Sequence, residues 1–167
     1  MEFFCYHRDR AGSSALRSAM VEEHWAYMDR FAASLLARGP TFEGEVLTGS
    51  VHVVERPDPA AARAFAFDEP CWQAGAYRDV LVRRTRWQRP GGTATAGFLG
   101  IGLTDPAPYD GLPVPLPDLV GFGPLLSDDG SLLLGAAVLA ATEQAAREGL
   151  AGFGAIEVHA WERGGRR

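Results

Sequence analysis

A stripe of apolar side chains at helical spacing is the clearest pattern in the first half of the chain. It follows an aromatic-rich run over residues 2–7, which predicts a strand. The stripe predicts an amphipathic helix over 14–37 that stops at Gly39-Pro40. His24 belongs to this stripe, so a histidine is expected on a helix face that packs against a core. The members are Met20, His24, Tyr27, Met28, Phe31 and Leu35.

The segments that follow complete one unit of known topology. A hairpin is predicted over about 41–55, with its turn near Glu43-Gly44-Glu45, and a strand is predicted over 77–87. Between them, Asp58 is the expected cap of a helix over 58–67 that has proline at its first position. The resulting order β-α-β-β-α-β is that of a ferredoxin-like unit.

The second half repeats much of this order. A strand-like run over 93–103 precedes the stretch 104–118, whose five prolines exclude a continuous helix where the first half has one. A hairpin, a short helix over 142–150 and a final strand then follow. Gly39-Pro40 recurs as Gly123-Pro124.

We therefore predict an α+β fold of tandem ferredoxin-like repeats. Residues 1–90 form a complete β-α-β-β-α-β unit, and residues 91–167 form a degenerate β-β-β-α-β unit without the first long helix. Each unit covers one sheet face with helices and leaves the other face open. The two open faces are expected to pack sheet to sheet as an intramolecular barrel.

Charge and composition exclude some classes of function. The formal net charge of −5 argues against nucleic-acid binding, which needs a basic surface. Residues 1–90 hold 12 arginines and 12 acidic residues, and those arginines either bind a small anion or cover the surface. All 16 basic residues are arginine, so the chain has no lysine to form a Schiff base with pyridoxal phosphate.

Location and partners follow from what the sequence lacks. No apolar run reaches the ~18 residues of a membrane-spanning helix, and the first residues do not form a signal peptide. We expect a cytoplasmic protein that binds a small molecule, with neither nucleic acid nor membrane as a partner. A monomeric pseudo-dimer and a homodimer both remain open.

His24 raises the question of an acidic partner. A buried imidazole must satisfy two ring nitrogens, and Asp68 and Glu69 follow the second helix, which lies on the same sheet face as the first. Either carboxylate could orient His24 as a general base. In the alternative interpretation, both acids are solvated loop residues and His24 is a core histidine.

The remaining motifs favour neither a metal nor a cofactor. His7, His52 and His159 lack the spacing of a metal site. Each lies at or near a strand and is expected at the surface or partly buried. The glycines of GFLGIG (97–102) lie in a strand and do not open a helix, which argues against a dinucleotide site. Asp128-Asp129-Gly130 is expected to form a hairpin turn.

Four motifs of the first half match a known family. They are His24 within HWAYM, Gly39-Pro40, GSVHVVE at 49–55 and EPCWQAG at 69–75. With them, residues 1–87 resemble the YCII-like family of the dimeric α/β barrel superfamily. The second half matches only the Gly-Pro and Ala-Gly ends.

The resemblance implies a ferredoxin-like fold, face-to-face pairing of two units and a His–Asp pair proposed as an acid–base site. His24 fills the histidine position. Glu69, in place of aspartate, fills the acid position before Pro70, and Asp68 is adjacent. Members linked to chemistry resemble enzymes of cofactor-free elimination or isomerisation on small cyclic or aromatic substrates.

The leading hypothesis is therefore a cofactor-independent lyase or isomerase. His24 would move a proton, oriented by Glu69 or Asp68, and Tyr27 would donate a hydrogen bond to a developing oxyanion. The side chains expected to bind the substrate are Trp25, Trp72, His52 and Tyr109. The stretch 104–118, which carries Tyr109, would be either a lid or a plain cap of the barrel. The rival hypothesis is a non-catalytic binding or accessory protein with the same pocket.

Overall fold

The computed structural model of the protein describes residues 1–90, 94–111 and 119–166. Its architecture is α+β, with antiparallel strands as the main element. The chain divides into two compact units. One contains Met1–Val82 with Gly164–Arg167, and the other contains Arg83–Arg163.

The first unit has its strands in the order β4-β1-β3-β2. Strand β3 pairs antiparallel with both β1 and β2. The elements are β1 (Glu2–Asp9), α1 (Ser14–Ala19), α2 (Val21–Asp29), β2 (Leu35–Glu43), β3 (Val46–Glu55), α3 (Pro59–Phe67), α4 (Pro70–Gln73) and β4 (Tyr77–Thr85), the last of which crosses the boundary between the units.

The prediction of a single long helix over 14–37 is wrong. The chain forms two short helices and a 3₁₀ turn at Ala32–Ser34, and it enters β2 at Leu35. Leu35 pairs with Val54 of β3, so pairing in the sheet replaces the last turn of the expected helix. Gly39-Pro40, which was expected to stop that helix, lies inside β2.

Several local predictions are confirmed. The Asp58 carboxylate accepts the backbone N–H of Ala61 at 2.7 Å, and Pro59 opens α3. Gly44 has φ of +59° in the turn between β2 and β3, a conformation that favours glycine. The short helix α4 was not predicted.

One face of the first sheet packs under the helices. Because alternate strand residues point to opposite faces and paired residues share a face, the polar residues Arg38, His7, Ser50 and His52 lie on the same face as Phe3. The apolar part of this face is a buried cluster of Phe3, Cys5, Tyr27, Met28, Val54, Ala62 and Phe65.

The second unit has the strand order β8-β5-β7-β6. Its elements are β5 (Ala96–Pro108), β6 (Leu119–Leu126), β7 (Leu132–Ala140), α5 (Glu143–Gly149) and β8 (Ala155–Glu162). Strand β5 extends through the first five residues of the proline-rich stretch, and residues 112–118 lie outside the described residues. The repeat boundaries and the packing of one sheet on the other stay predictions.

The glycines of GFLGIG have a packing role in the second unit. A Cβ at Gly100 would lie 2.8 Å from Leu150 Cδ1, and one at Gly102 would lie 2.7 Å from Phe153 Cβ. Side chains of the segment after α5 therefore approach the strand where it lacks side chains of its own. This close approach explains why glycine occupies these positions, so the motif does not require a bound nucleotide.

Candidate active site

His24 and Glu69 form a hydrogen-bonded pair in the first unit. His24 lies in the first turn of α2, and its Nδ1 is 2.8 Å from Glu69 Oε1. The imidazole is 14% exposed, whereas the carboxylate is fully buried. A histidine with limited access to solvent is thus held by a buried acid.

The start of α4 fixes the position of Glu69. The Glu69 side chain caps this short helix, because its second oxygen, Oε2, accepts the backbone N–H of Trp72 at 2.9 Å. Pro70 occupies the first helical position, as is usual. The two carboxylate oxygens therefore have different partners: Oε2 caps α4 and Oε1 binds His24.

The pair has a defined arrangement of protons. Burial by itself would raise the pKa of Glu69, but the hydrogen bond and positive charge of His24 and the backbone amides of Trp72 and Cys71 outweigh it and lower that pKa. An ionised carboxylate is only an acceptor, so His24 Nδ1 must donate. The neutral ring then has its lone pair on Nε2, the atom that can take a proton.

A cavity of about 240 Å³ lies beside this pair, and every described residue of its wall belongs to the first unit. Its apolar wall includes Val21, Trp25, Met28, Phe42 and Leu47. Its polar wall includes Arg17, His24, Arg38, Ser50 and His52. The cavity thus combines a mostly apolar lining with a few polar groups, as small-molecule sites do.

Two further histidines are buried in the first unit, and one of them is on the cavity wall. His52 is on the wall, 2% exposed, and its ring centre is 5.8 Å from that of His24. His7 is fully buried, and its Nε2 is 2.9 Å from the carbonyl oxygen of Ala66. The expectation of surface or partly buried positions is therefore wrong for both, because their side chains lie under the helices.

Burial keeps both of these rings neutral. It lowers the pKa of His7 to about 4, although the Ala66 carbonyl and Glu69 act in the opposite direction. It lowers the pKa of His52 well below its ordinary value, and electrostatic repulsion from nearby groups, including His24, Arg17 and Arg38, adds to this effect. His7 and His52 therefore add no positive charge to the surroundings of His24.

Arg17 is a site residue that the sequence analysis missed. It is 8% exposed and forms an ion pair with Asp9, and it donates a hydrogen bond to Ser50 Oγ at 2.9 Å. Its guanidinium also lies 4.6 Å from the ring centre of Tyr77. The signal was present, since Arg17 lies three residues before Met20 on the helical stripe.

Tyr27 lies in the apolar cluster of the first unit and is not among the described residues of the cavity wall. Its hydroxyl donates to the carbonyl oxygen of Phe65 at 3.0 Å, and its ring is buried in the apolar cluster with that residue. Burial is also the main cause that raises its pKa, to about 12. The hydroxyl is therefore occupied in the core and does not face the cavity.

The other expected site residues separate into two groups. Trp25 and His52 are on the cavity wall. Trp72 instead packs edge-on against Phe67, with ring centres 5.1 Å apart, outside the described wall. The exposed Asp68 ends α3, so Glu69 is the acid that holds His24. Tyr109 lies in the second unit beneath Arg86, and its role stays a prediction.

A third potential ligand lies next to the pair. One ligand atom from each of His24, Glu69 and Cys71 lies within 4.8 Å of the others, so these residues could hold a metal ion. Burial and the nearby Glu69 raise the pKa of the Cys71 thiol to about 12, whereas metal binding requires a thiolate. A cation bound here would have to displace the thiol proton.

The comparisons agree with the family resemblance. The model of the YCII-related domain matches residues 1–87. The chain belongs to the YCII-related domain family. The family match includes His24, Glu69 and every described cavity residue except Gly164 and Gly165. No curated protein shows significant similarity to the chain.

Two solved structures are similar to this YCII-related protein. One is the 5-chloro-2-hydroxyhydroquinone dehydrochlorinase of Burkholderia phenoliruptrix AC1100 in complex with 2,5-dihydroxybenzoquinone, at 27% identity and a TM-score of 0.48, covering 53% of this chain and 95% of its own. The other is a protein of Lactobacillus acidophilus NCFM with a suggested monooxygenase activity, at 9% identity and a TM-score of 0.49. The match covers 97% of this chain and 93% of the Lactobacillus chain. Across the described residues, no helix is both long and apolar enough to span a membrane.

Proposed function

We propose that the first unit of this YCII-related protein is a cofactor-independent acid–base enzyme of the lyase or isomerase type, acting on a small cyclic or aromatic metabolite. One observation carries the proposal. The Nδ1 atom of His24 is 2.8 Å from the buried carboxylate of Glu69, on the wall of a mostly apolar cavity.

In the proposed reaction, His24 Nε2 takes a proton from a substrate carbon. The electron pair of the broken C–H bond forms a double bond, and either a leaving group departs with its own pair or the proton returns at another carbon. Glu69 remains ionised, keeps Nδ1 protonated and stabilises the imidazolium that forms, as the acid does in other histidine–carboxylate pairs.

The size and lining of the cavity support a one-ring substrate. A dry cavity of ~150 Å³ holds benzene, and drug-sized ligands need ~300–1,000 Å³, so about 240 Å³ suits one substituted ring. Trp25 and Met28 offer apolar surface to such a ring. His52 is neutral and can hydrogen-bond a substrate oxygen without adding a positive charge.

Deuterium incorporation from D₂O provides a test that does not require the natural substrate. A panel of cyclic ketones and hydroxylated benzenes would be incubated with the protein and followed by NMR. We expect H24Q to slow any exchange or elimination by ~10²–10⁴-fold, the usual contribution of a general base. H159Q, which changes a histidine of the second unit, is the matched control and should keep the wild-type rate. Full turnover by H24Q would overturn the mechanism.

The adjacent acids give a second, sharper pair of variants. In E69Q the amide can donate to His24 Nδ1, which moves the ring proton to Nε2 and removes the base, so we expect a comparable ~10²-fold or larger loss. D68N should keep full activity because that carboxylate is exposed. Equal effects of the two variants would contradict the assignment. Ligand binding by wild type and H24Q alike, without turnover by either, would favour the rival binding protein.

A further inference from the structure

Two arginines on the cavity wall differ in how their charges are compensated. Arg17 is ion-paired with Asp9 and hydrogen-bonded to Ser50. Arg38 is half-buried on the same wall, yet its guanidinium has no acidic partner and no hydrogen-bond acceptor among the described residues. An arginine has five N–H donors, so a half-buried one without acceptors is poised to bind an anion.

The C-terminal segment holds Arg38 in place. The backbone N–H of Gly164 donates to the Arg38 carbonyl oxygen at 3.0 Å. Gly165 has φ of +130°, and a Cβ there would lie 2.6 Å from the nearer terminal nitrogen of the Arg38 side chain. The guanidinium therefore packs on the glycine backbone, which limits how far it can move away from the cavity.

Among the described residues around the cavity, Arg38 is the charged group without a partner of opposite charge. The carboxylate of Glu69 is paired with His24, and that of Asp9 is paired with Arg17. His52, which pairs with Arg38 across β2 and β3, is neutral, and its buried Nδ1 has no hydrogen-bond partner in the described part of the chain. A cation and an unsatisfied polar atom thus lie side by side on one part of the wall.

We propose that this cavity selects substrates that carry an anionic oxygen group, such as a carboxylate or sulfonate, and that Arg38 binds that group. The inference rests on the proposed function for the identity of the cavity as the active site, and it names the class of substrate. Arg38 would hold the anion at one end of the ring, which leaves the opposite part of the molecule to His24.

Binding of isosteric probe pairs separates this inference from the catalytic one. Benzoate is compared with benzamide, and benzenesulfonate with benzenesulfonamide, by following the NMR signals of Trp25 and His24 in the labelled protein. We expect both anions to bind about tenfold or more tightly than their neutral partners, as a charge-assisted bidentate hydrogen bond would require. R38Q should lose the preference, and R38K should keep part of it.

Two controls complete the design. R10Q removes an exposed arginine of the same unit and should leave the preference unchanged. H24Q should also keep it, so a failure of the proposed catalysis does not remove this binding signal. Equal binding of anion and neutral partner by wild type, no binding of either anion, or an unchanged preference in R38Q would each overturn the proposal. A preference lost in H24Q but kept in R38Q would assign the anion to His24 and overturn it as well.

Discussion

The two units have the same strand order, but matching strand positions carry polar side chains in the first unit and apolar side chains or glycine in the second. In the first unit, Arg38 pairs with His52, which pairs in turn with Cys5. At the corresponding register of the second unit, Phe122 pairs with Val138, which pairs with Gly100. A row that carries polar groups in one sheet is therefore apolar or bare in the other.

The next row along the strands repeats the difference. Ser50 pairs with both Pro40 and His7 in the first unit, and Ala136 pairs with both Pro124 and Gly102 in the second. Leu150 and Phe153 occupy the space above the two glycines. The comparison teaches that the second sheet face is filled with apolar side chains, whereas the first keeps a cavity with polar residues on its wall.

Placing a histidine in the filled face should have the largest effect on stability. Val138 is 1% exposed, so V138H adds volume to a packed core and buries a ring without partners. We expect a loss of about 2–5 kcal/mol in the free energy of unfolding, measured in urea. V46H, at an exposed strand position, is the control and should change stability little. H52V, the reverse change in the first unit, should cost less than about 1 kcal/mol; equal costs for V138H and H52V would contradict the comparison.

Acid should destabilise the protein through the buried histidines of the first unit. Because the pKa values of His7 and His52 are lowered on folding, the unfolded chain binds protons that the folded chain does not. Stability should therefore fall as the pH drops below about 6.5, by about 1.4 kcal/mol per pH unit for each ring at most. Urea unfolding at several pH values between 7 and 4.5 measures this slope.

Two variants separate this slope from other acid effects. H52V should reduce it by up to about 1.4 kcal/mol per pH unit, whereas V46A, which changes an exposed residue without a titratable group, should leave it unchanged. The lowered pKa of Glu69 acts at lower pH, because its contribution is present above about 4.3 and lost as the pH falls further. An identical slope in H52V and wild type would exclude His52 as a source.

Filling one bare position of the second sheet should have the smallest effect. In G100A the new Cβ would meet Leu150 and Val138 at less than 3.0 Å, so we expect a loss of about 1–2 kcal/mol from overpacking. G154A is the control, because its Cβ would meet only the Leu103 carbonyl oxygen at 3.6 Å. Equal melting temperatures for G100A and G154A would show that the second sheet face can accommodate an extra methyl group.

Local rules predicted the parts of the fold that short segments determine. Asp58 with Pro59 marks the start of α3, and Gly44 marks the hairpin turn, because capping and positive φ depend on a few neighbouring residues. The helical spacing likewise identified His24. The same spacing extended the helix too far, because the pairing of Leu35 with Val54 depends on a strand distant in sequence.

The candidate site was predictable only in part for a similar reason. The sequence left Asp68 and Glu69 as alternatives, and the choice depends on α4, whose four residues give no periodic signal. Asp68 ends one helix and Glu69 begins the next, so neighbouring carboxylates point in different directions. The burial of His7 and His52 likewise depends on which strand face lies under the helices, which alternation alone did not decide.

The double use of Glu69 has a consequence for how this protein can evolve. Any replacement must both accept the amide of Trp72 and reach His24, so selection for a stable fold alone would tend to preserve the acid. A descendant that lost the proposed activity could keep Glu69 for structural reasons, while His24 could be replaced. The histidine, rather than the acid, is thus the residue whose presence across relatives would trace the proposed activity.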